Sequence, residues 1–407
     1  MNENTGVLKN ANVLDMATGD YANADVVWSA GRIVEVTRNA NVPASAQTID
    51  GTGSFVIPGL IDAHVHVTAM TADLGSTSSE PASYVAIRAA ESMAATLDRG
   101  FTTVRDASGA DFGLARAQKE GLLRGPRLMY CGRALSQTGG HADFRAPGEH
   151  VSHDPGNCCA GIGRIVDGVA AVRQAARDEL RMGAHHIKIM ASGGVASPTD
   201  RIDSTQFSID EIEAVVQEAT AANRYVAAHA YTARAINRTL KAGVRSIEHG
   251  NLLDDESLTL FKRYDAFLVP TLVTYWALKE EGKEFGLSEA NWTKVDAVLD
   301  AGLVALESAH RAGVKVAFAT DLLGKMQRHQ NQEFSIRAQV QDNLSILRSA
   351  TTVAAELIER EGELGVITPG AFADLLVLDA DPLENIDAVA RIAEHKQYVI
   401  QGGVIVA

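Results

Sequence analysis

Apolar residues recur along the middle of the chain in short runs of strand length, and stretches of helical periodicity separate most of these runs. Eight runs occur, at residues 56–67, 101–106, 127–131, 186–190, 225–229, 246–249, 267–271 and 315–320. Helical periodicity is clear at residues 84–99, 167–182, 210–222, 233–242 and 292–312. Ser208 and Glu211 resemble a capping box at the start of the third of these helices. The alternation predicts an α/β fold, a (β/α)8 TIM barrel, in which chemistry lies at the C-terminal ends of the strands.

The two ends of the chain have a different pattern from the middle. Apolar or alternating runs broken by Gly, Asn and Asp recur there, at residues 6–14, 24–28, 31–36, 370–379 and 397–407. We therefore expect a small β-sandwich domain built from both termini, residues 1–57 and 368–407, beside a catalytic barrel of residues 58–367.

Composition argues against several classes of partner. The 407 residues carry a formal net charge of -14, which argues against nucleic acid because phosphate binding needs a basic face. No run approaches the ~18 consecutive apolar residues of a membrane span. Residues 1–6 lack the basic and apolar regions of a signal peptide. We expect a cytoplasmic protein without nucleic-acid or membrane partners.

Residues 136–164 form a long irregular region that is rich in Gly, His, Asp and Pro. Loops of this length in a compact domain are usually functional lids or disordered segments. The region contains Cys158 and Cys159, which are adjacent and would close only a strained ring, and the third cysteine is Cys131. The sequence therefore predicts no disulfide framework and a reducing compartment.

The first apolar run carries two histidines, His64 and His66. Alternate side chains of an extended strand share a face, so both imidazoles are predicted to point the same way. Buried imidazole nitrogens need partners, and a metal ion is a good one. Two hydrogen-bonded histidines at a strand end are the alternative when the pair is considered alone.

Four more polar side chains lie within or at the ends of later strands, namely Lys188, His229, His249 and Asp321. In a barrel all six positions converge on one mouth, and together they predict a metal site. Taken singly, Lys188 could reach solvent or pair with a carboxylate, the two histidines could be ordinary core residues, and Asp321 could be a helix N-cap. A buried, unpaired ammonium is costly. Carbamylation by carbon dioxide would convert Lys188 into an anionic bridging carboxylate.

These residues resemble the metal-dependent amidohydrolase superfamily, over essentially the whole chain. The segments that carry the resemblance are residues 58–66, 246–250, 318–321 and 364–383. Residues 137–143, 187–194 and 229–232 are most similar to the branch that contains Xaa-Pro dipeptidases, carboxypeptidase-like enzymes and ochratoxin-hydrolysing amidases. The resemblance implies a binuclear zinc site bridged by an N6-carboxylated Lys188. It also implies a homo-oligomer, often an octamer.

The expected site divides the six ligands between two divalent ions, which the resemblance implies are zinc. One ion is assigned to His64, His66 and Asp321, the other is assigned to His229 and His249, and the two are bridged by Lys188. Asp321 is also expected to take a proton from the attacking water and return it to the departing amine.

Two further residues are expected to contact the substrate. Tyr231 lies two residues beyond His229 and is expected to donate its O–H to the oxyanion, the alternative being a packing aromatic at the barrel rim. His141 follows two glycines and is expected to bond the substrate's carbonyl or carboxylate, the alternative being a solvated loop histidine. His329 is a weaker candidate for the opposite wall, and Asp106 is expected to be structural.

The function expected from the resemblance is hydrolysis of the amide that joins an acyl group to a C-terminal amino acid. Substrates would be N-acyl-amino acids, Xaa-Pro-like dipeptides or ochratoxin A, which would give ochratoxin alpha and phenylalanine. A cyclic-amide hydrolase or deaminase of the same superfamily is the alternative. Deaminases generally use one metal ion without a bridging lysine, so Lys188 counts against them. A metal-free scaffold or binding protein is the third hypothesis, and the full ligand set argues against it.

Overall fold

The computed structural model describes residues 5–145, 148 and 161–407 of the chain. Cys158, Cys159 and part of the region 136–164 lie outside the described residues. The described part contains eighteen strands: β1 (Gly6–Leu14), β2 (Tyr21–Ser29), β3 (Arg32–Thr37), β4 (Gln47–Asp50), β5 (Phe55–Pro58), β6 (Leu60–Val65), β7 (Phe101–Asp106), β8 (Arg127–Tyr130), β9 (Ala134–Ser136), β10 (Gly163–Ile165), β11 (His186–Met190), β12 (Tyr225–Thr232), β13 (Ser246–Leu252), β14 (Phe267–Val269), β15 (Lys315–Val316), β16 (Leu375–Leu378), β17 (Lys396–Gln401) and β18 (Val404–Ile405).

The same residues contain thirteen α-helices: α1 (Ala82–Asp98), α2 (Phe112–Lys119), α3 (Val169–Arg181), α4 (Ile209–Ala221), α5 (Ala233–Lys241), α6 (Asp255–Arg263), α7 (Leu272–Glu281), α8 (Glu289–Arg311), α9 (Gln332–Arg337), α10 (Asn343–Ser349), α11 (Thr352–Leu357), α12 (Asp387–Ala390) and α13 (Ile392–His395). All five predicted helices are present, as α1, α3, α4, α5 and α8. The capping box is confirmed, since the Ser208 N–H donates to Glu211 Oε2 over 2.7 Å at the start of α4. None of the described helices is long and apolar enough to cross a bilayer.

All eight predicted barrel strands are present. β6, β7 and β8 form a parallel three-stranded sheet, and β11 to β15 form most of a seven-stranded parallel sheet that also contains the short β9 and β10. Backbone hydrogen bonds join the two sheets. Ala63 N–H donates to Phe318 O (2.8 Å) between the first and eighth strands, and His185 N–H donates to Tyr130 O (2.8 Å) between the third and fourth. The (β/α)8 barrel is therefore confirmed.

The apolar run 56–67 is not the single strand that the pattern predicts, but two strands. β5 pairs antiparallel with β16 in the terminal sheet, whereas β6 pairs parallel with β7 in the barrel. The break is at Gly59, whose N–H donates to Asp374 O over 2.8 Å. A Cβ atom at Gly59 would lie only 2.2 Å from Thr102 Oγ1, so this close approach needs glycine. The chain thus passes from one sheet to the other shortly before His64.

Strands from both termini pair in one eight-stranded sheet. Its order is β18-β17-β16-β5-β1-β2-β3, and β4 pairs with β1. The sheet has an apolar core of its own, in which Trp28 is fully buried with Leu375 and Ile400. Leu376 on the same sheet belongs to a different cluster, which it shares with Phe101 of the barrel. A separate sheet built from both termini is therefore confirmed, and it is packed against the second barrel strand.

Candidate active site

The six residues predicted to bind metal all line one cavity of the barrel. His64 lies on β6, and His66 follows that strand directly. Lys188 lies on β11, His229 on β12 and His249 on β13, and Asp321 lies in the segment after β15. The two predicted substrate-binding residues, His141 and Tyr231, line the same cavity. The structure therefore brings together all eight residues that the sequence predicts for the site.

His64, His66 and Asp321 form a compact cluster, in which one ligand atom from each residue lies within 4.8 Å of the others. The two Nε2 atoms are 3.3 Å apart, and Asp321 Oδ1 lies 3.5 Å from that of His64 and 3.2 Å from that of His66. Burial alone would lower the pKa of His66, but the hydrogen bond and charge of Asp321 outweigh it and raise that pKa. The same negative charge would attract a cation, so the cluster suits a divalent ion.

The far side of each of these imidazoles is already hydrogen-bonded. His64 Nδ1 lies 2.7 Å from Glu248 Oε2, and His66 Nδ1 lies 2.9 Å from the carbonyl oxygen of Ser108. Because carboxylate and carbonyl oxygens only accept, both Nδ1 atoms carry a hydrogen and donate it. In the neutral rings the lone pairs are therefore on Nε2, facing Asp321, which is the tautomer a metal ligand needs.

His229 and His249 form a second pair of imidazoles, with ring centroids 4.6 Å apart. His229 Nε2 donates to Gly193 O over 3.1 Å, and His249 Nδ1 lies 2.8 Å from Thr271 Oγ1. Burial lowers the pKa of both rings well below the usual value. Both are therefore neutral, which is the form that binds metal. One nitrogen of each ring remains available for a ligand.

Lys188 is only 1% exposed, so the alternative of a lysine that reaches solvent does not apply. Burial lowers the pKa of its ammonium, although the charges of Glu248 and Asp321 oppose this shift. Burial thus favours the neutral amine, the form that reacts with carbon dioxide. Four imidazoles, one carboxylate and this lysine together make a donor set that fits divalent cations.

The backbone is in the left-handed region at two of these residues. His249 has φ 72° and Asp321 has φ 53°, values that are uncommon for residues other than glycine. Asp321 N–H donates to His64 O over 2.8 Å, which holds the turn. Asp321 is not a helix N-cap, because Leu323 occupies that position of the 3-10 helix Gly324–His329. Conformations of this kind cluster at functional sites.

Tyr231 is buried against the second pair of histidines. Its ring centroid lies 4.9 Å from that of His229 and 5.3 Å from that of His249. Its hydroxyl oxygen accepts a hydrogen bond from Tyr275 over 3.1 Å. Since this bond uses the oxygen and leaves the hydrogen, the Tyr231 O–H can donate into the cavity. Burial raises the pKa of the phenol, so the group remains a donor.

His141 is buried, in contrast to the solvated loop histidine that was the alternative. Its ring stacks on that of His229 with centroids 4.2 Å apart. Its Nδ1 lies 2.8 Å from Ser197 Oγ, and its backbone N–H donates to Gln206 Oε1 over 2.8 Å. Ser197 in turn donates to the carboxylate of the buried Asp200. Ser197 and Asp200, from the segment after β11, therefore fix the ring of His141 beside the histidines that are candidate metal ligands.

Much of the remaining cavity wall is apolar. Its apolar side chains include Leu74, Phe144, Ile162, Val195, Leu278 and Leu323. They come from segments that are far apart in the sequence, and several belong to one hydrophobic cluster with Tyr231. The cavity therefore combines a polar part, which contains the candidate metal ligands, with an apolar surface that a substrate side chain could contact.

Several residues that support or line the site are not among those predicted from the sequence, including Arg105, Ser197, Asp200, Glu248, Thr271 and Tyr275. Glu248 is a charged residue between two residues of a buried strand, the same signal that identifies Lys188. Tyr275 lies on α7 and Asp200 in a loop, and no sequence pattern marks either of them.

Two weaker expectations have different outcomes. His329 does not belong to the described lining of the cavity; its Nε2 lies 3.1 Å from Glu281 Oε1 and its ring packs on Trp276. Asp106 is structural, as expected, because it accepts hydrogen bonds from the backbone N–H groups of Val67, Ser108 and Ala110.

Similarity to known proteins identifies the family. Residues 55–405 match the family model of the Amidohydrolase family. The chain belongs to the amidohydrolase family. It is 34% identical over 408 aligned residues to an ochratoxinase of Aspergillus niger, covering 92% of this chain and 85% of that protein.

Two solved structures of similar proteins match the fold of this chain over nearly its whole length. A prolidase crystallised with N-methylphosphonate-L-proline is 51% identical, with a TM-score of 0.96 over 98% of this chain and 99% of that chain. A Xaa-Pro dipeptidase with bound methionine is 27% identical, with a TM-score of 0.88 over 98% and 99% of the two chains. Amidohydrolases typically use metal ions. Because it belongs to this family, the chain is a hydrolase of amide bonds.

Proposed function

We propose that this amidohydrolase releases the C-terminal amino acid from N-acyl-amino acids or Xaa-Pro-like dipeptides. We include ochratoxin A, cleaved to ochratoxin alpha and phenylalanine, among its substrates. The observation that carries the proposal is the convergence of four histidines, Asp321 and the buried Lys188 on one cavity beside Tyr231 and His141. The names of the relatives, an ochratoxinase, a prolidase and a Xaa-Pro dipeptidase, support amides of this class.

The proposed cofactors are two divalent cations, with zinc as the preferred ion. One would be held by His64, His66 and Asp321, the other would be held by His229 and His249, and the bridge would be an N6-carboxylated Lys188. The hydrogen bonds to one nitrogen of His64, His66 and His229 support these ligands, because they leave the other nitrogen of each ring available to a cation. The grouping of His64, His66 and Asp321 around one point supports the first ion. When bound, such cations supply a water nucleophile that ionises near neutral pH.

Asp321 is proposed to carry the proton between water and the leaving group. Its side chain is 20% exposed, and its Oδ2 lies 4.0 Å from His249 Nδ1, beyond hydrogen-bond distance. This oxygen, which makes no hydrogen bond to His249, supports a role in which it accepts a proton from the attacking water and returns it to the departing nitrogen. The hydroxyl group of the water is retained by the acyl carbon, and the C–N bond breaks as the amine gains its proton.

Tyr231 and His141 are proposed to bind the substrate on either side of the reacting carbon. The Tyr231 O–H would donate to the oxyanion, since its own oxygen is occupied by the hydrogen bond from Tyr275. His141, fixed by Ser197, would bond the substrate's carbonyl or its terminal carboxylate. A terminal carboxylate that interacts with an imidazole would favour substrates that end in a free amino acid.

The apolar wall of the cavity would contact the acyl group or the N-terminal side chain of the substrate. A charged group placed against Phe144, Val195 or Leu278 would lose its water without gaining a partner. We therefore expect turnover of substrates with apolar or aromatic acyl groups to exceed that of substrates with charged ones.

The proposal is tested with a substrate panel. Purified protein is incubated with N-acyl-amino acids, Xaa-Pro dipeptides, ochratoxin A, cyclic amides and amino-substituted heterocycles, with and without a chelator, and the products are separated by chromatography. Release of a free amino acid that stops with chelator and returns with zinc would support the proposal. Metal-loaded protein that opens only cyclic amides, or that releases only ammonia, would overturn it in favour of the other superfamily activities.

Self-association is a separate proposal. The resemblance leads us to expect a homo-oligomer, with an octamer as the specific case. Sedimentation velocity at micromolar concentration tests it, and a single species of the monomer mass, 43.2 kDa, would contradict it.

A further inference from the structure

A charged pair is completely buried next to the metal-binding histidines. Arg105 of β7 and Glu248 of β13 are both fully buried, and Arg105 Nη2 donates to both carboxylate oxygens over 2.8 Å. Arg105 Nε also donates to Ala63 O (2.6 Å), and its Nη1 donates to Ser246 Oγ (3.1 Å). The pair therefore links the first, second and sixth strands inside the barrel.

Glu248 reaches from this pair to the proposed metal centre. Its Oε2 lies 2.7 Å from His64 Nδ1, and its Oε1 accepts a hydrogen bond from Ser246 Oγ over 2.7 Å. Both oxygens of Glu248 accept from Arg105, which is the arrangement of an ionised carboxylate paired with a guanidinium. Because an ionised carboxylate only accepts, the hydrogen between Glu248 and His64 belongs to His64.

We propose that Glu248, held by Arg105, is a positioning residue of the metal centre: it fixes the ring and tautomer of His64 and so sets the affinity for the cation. The inference rests on the metal centre of the proposed function, and adds a residue that contacts neither metal nor substrate. Partners of this kind typically contribute roughly 10- to 100-fold to metal affinity. Loss of the carboxylate would also leave the buried guanidinium of Arg105 uncompensated near the cations, which weakens binding further.

The chain supplies a matched control in a second buried pair. Arg337 Nε donates to Glu333 Oε1 over 2.7 Å, and both side chains are fully buried. Glu333 Oε2 accepts from the N–H of Val273, while Arg337 donates to the carbonyl oxygens of Pro270 and Ala317. Glu333 thus matches Glu248 in burial and in its arginine partner, but it holds the backbone N–H of Val273 where Glu248 holds an imidazole.

The test compares Glu248→Gln and Glu333→Gln with the unaltered protein. The dissociation constant for zinc is measured by competition with a chromophoric chelator, and the unfolding temperature is measured on metal-stripped protein. Both substitutions are expected to lower the unfolding temperature, because each breaks a buried ion pair. Only Glu248→Gln is expected to raise the zinc dissociation constant, by roughly 10- to 100-fold.

A second variant covers the case in which Glu248→Gln does not fold. Glu248→Asp keeps the charge beside Arg105 but withdraws the carboxylate from His64, so it should also raise the zinc dissociation constant. A constant within about twofold of the unaltered value in the folded variant, or an equal rise in Glu333→Gln, would overturn the positioning role. Failure of the unaltered protein to bind zinc at all would instead overturn the metal centre, so the two failures are distinguishable.

Discussion

Removal of the Tyr231 hydroxyl group is expected to slow turnover about a hundredfold. Phenylalanine keeps the ring, whose centroid lies 4.9 Å from that of His229 and 5.3 Å from that of His249, so the packing is retained. The change deletes one buried donor aimed at the cavity. Loss of a single oxyanion donor costs about 10²- to 10³-fold in kcat, or ~2.7–4 kcal/mol. The effect should fall on kcat with little change in KM, because the bond strengthens only as charge develops on the oxygen.

The same substitution has a smaller, separate effect on stability. The Tyr275 hydroxyl group donates to Tyr231 over 3.1 Å and would lose this acceptor, at a cost of about 1 kcal/mol in the free energy of unfolding. Tyr275→Phe is therefore the matched control. It breaks the same hydrogen bond from the other side but leaves the Tyr231 O–H in place, so kcat should fall less than tenfold.

The measurement is a set of initial rates for both variants on the best substrate of the panel, with zinc saturating, together with thermal unfolding. Tyr231→Phe turnover within about threefold of the unaltered enzyme would refute the oxyanion role. An equal loss in Tyr275→Phe would also refute it, since the shared loss would then reflect the broken contact between the two rings.

Three further predictions follow from the metal centre and from His141. Removal of divalent ions by a chelator should abolish turnover and lower the unfolding temperature, and zinc should restore both; unchanged turnover would contradict a metal-dependent reaction. Lys188→Ala should lower turnover at least about 100-fold, and a small carboxylic acid such as propionate should restore part of it by replacing the missing carboxylate. The control is Lys294→Ala, which removes a lysine bonded to loop carbonyl groups and should show no such rescue. Rescue of both variants, or of neither variant, would argue against a carboxylated Lys188. Ser197→Ala should raise KM about fivefold, because it releases the ring of His141. Ser204→Ala in the same loop is the control and should leave KM unchanged. Equal KM values in the two variants would contradict the role of Ser197 in holding His141.

The fold and the six proposed ligands could be predicted because both depend on short-range patterns. Parallel strands bring their C-terminal ends to one edge of a barrel. A polar residue at the end of each strand is therefore enough to locate a site, even when no distance between the residues is known. Lys188 is the clearest case, because a charge inside an apolar run requires an explanation wherever the strand lies. The same rule applies to Glu248, which lies between Ile247 and His249 on a buried strand. Its charge inside the strand could have identified it as a site residue from the sequence.

The remaining features depend on contacts between distant segments. Tyr275 reaches Tyr231 because α7 lines the same cavity as β12. Asp200 reaches Ser197 and His141 only through the geometry of one loop. The division of the run 56–67 into two strands depends on Gly59 meeting Thr102, which the run itself does not reveal. Patterns along a sequence indicate which side chains are buried, but not which of them meet.

The charges around the cavity give a physical reason for the proposed carboxylation of Lys188. Arg105 and Glu248 cancel each other, and Asp321 is the one carboxylate among the six proposed ligands. An ammonium at Lys188 would cancel Asp321 as well, and the ligands would then supply no net negative charge to two buried divalent cations. A carbamate would replace that positive charge with a negative one and would offer carboxylate oxygens as ligands. The carbamate also needs the cations, because a buried anion is as costly as a buried cation. Binding of metal and carboxylation of Lys188 should therefore stabilise each other, and each should be weak alone.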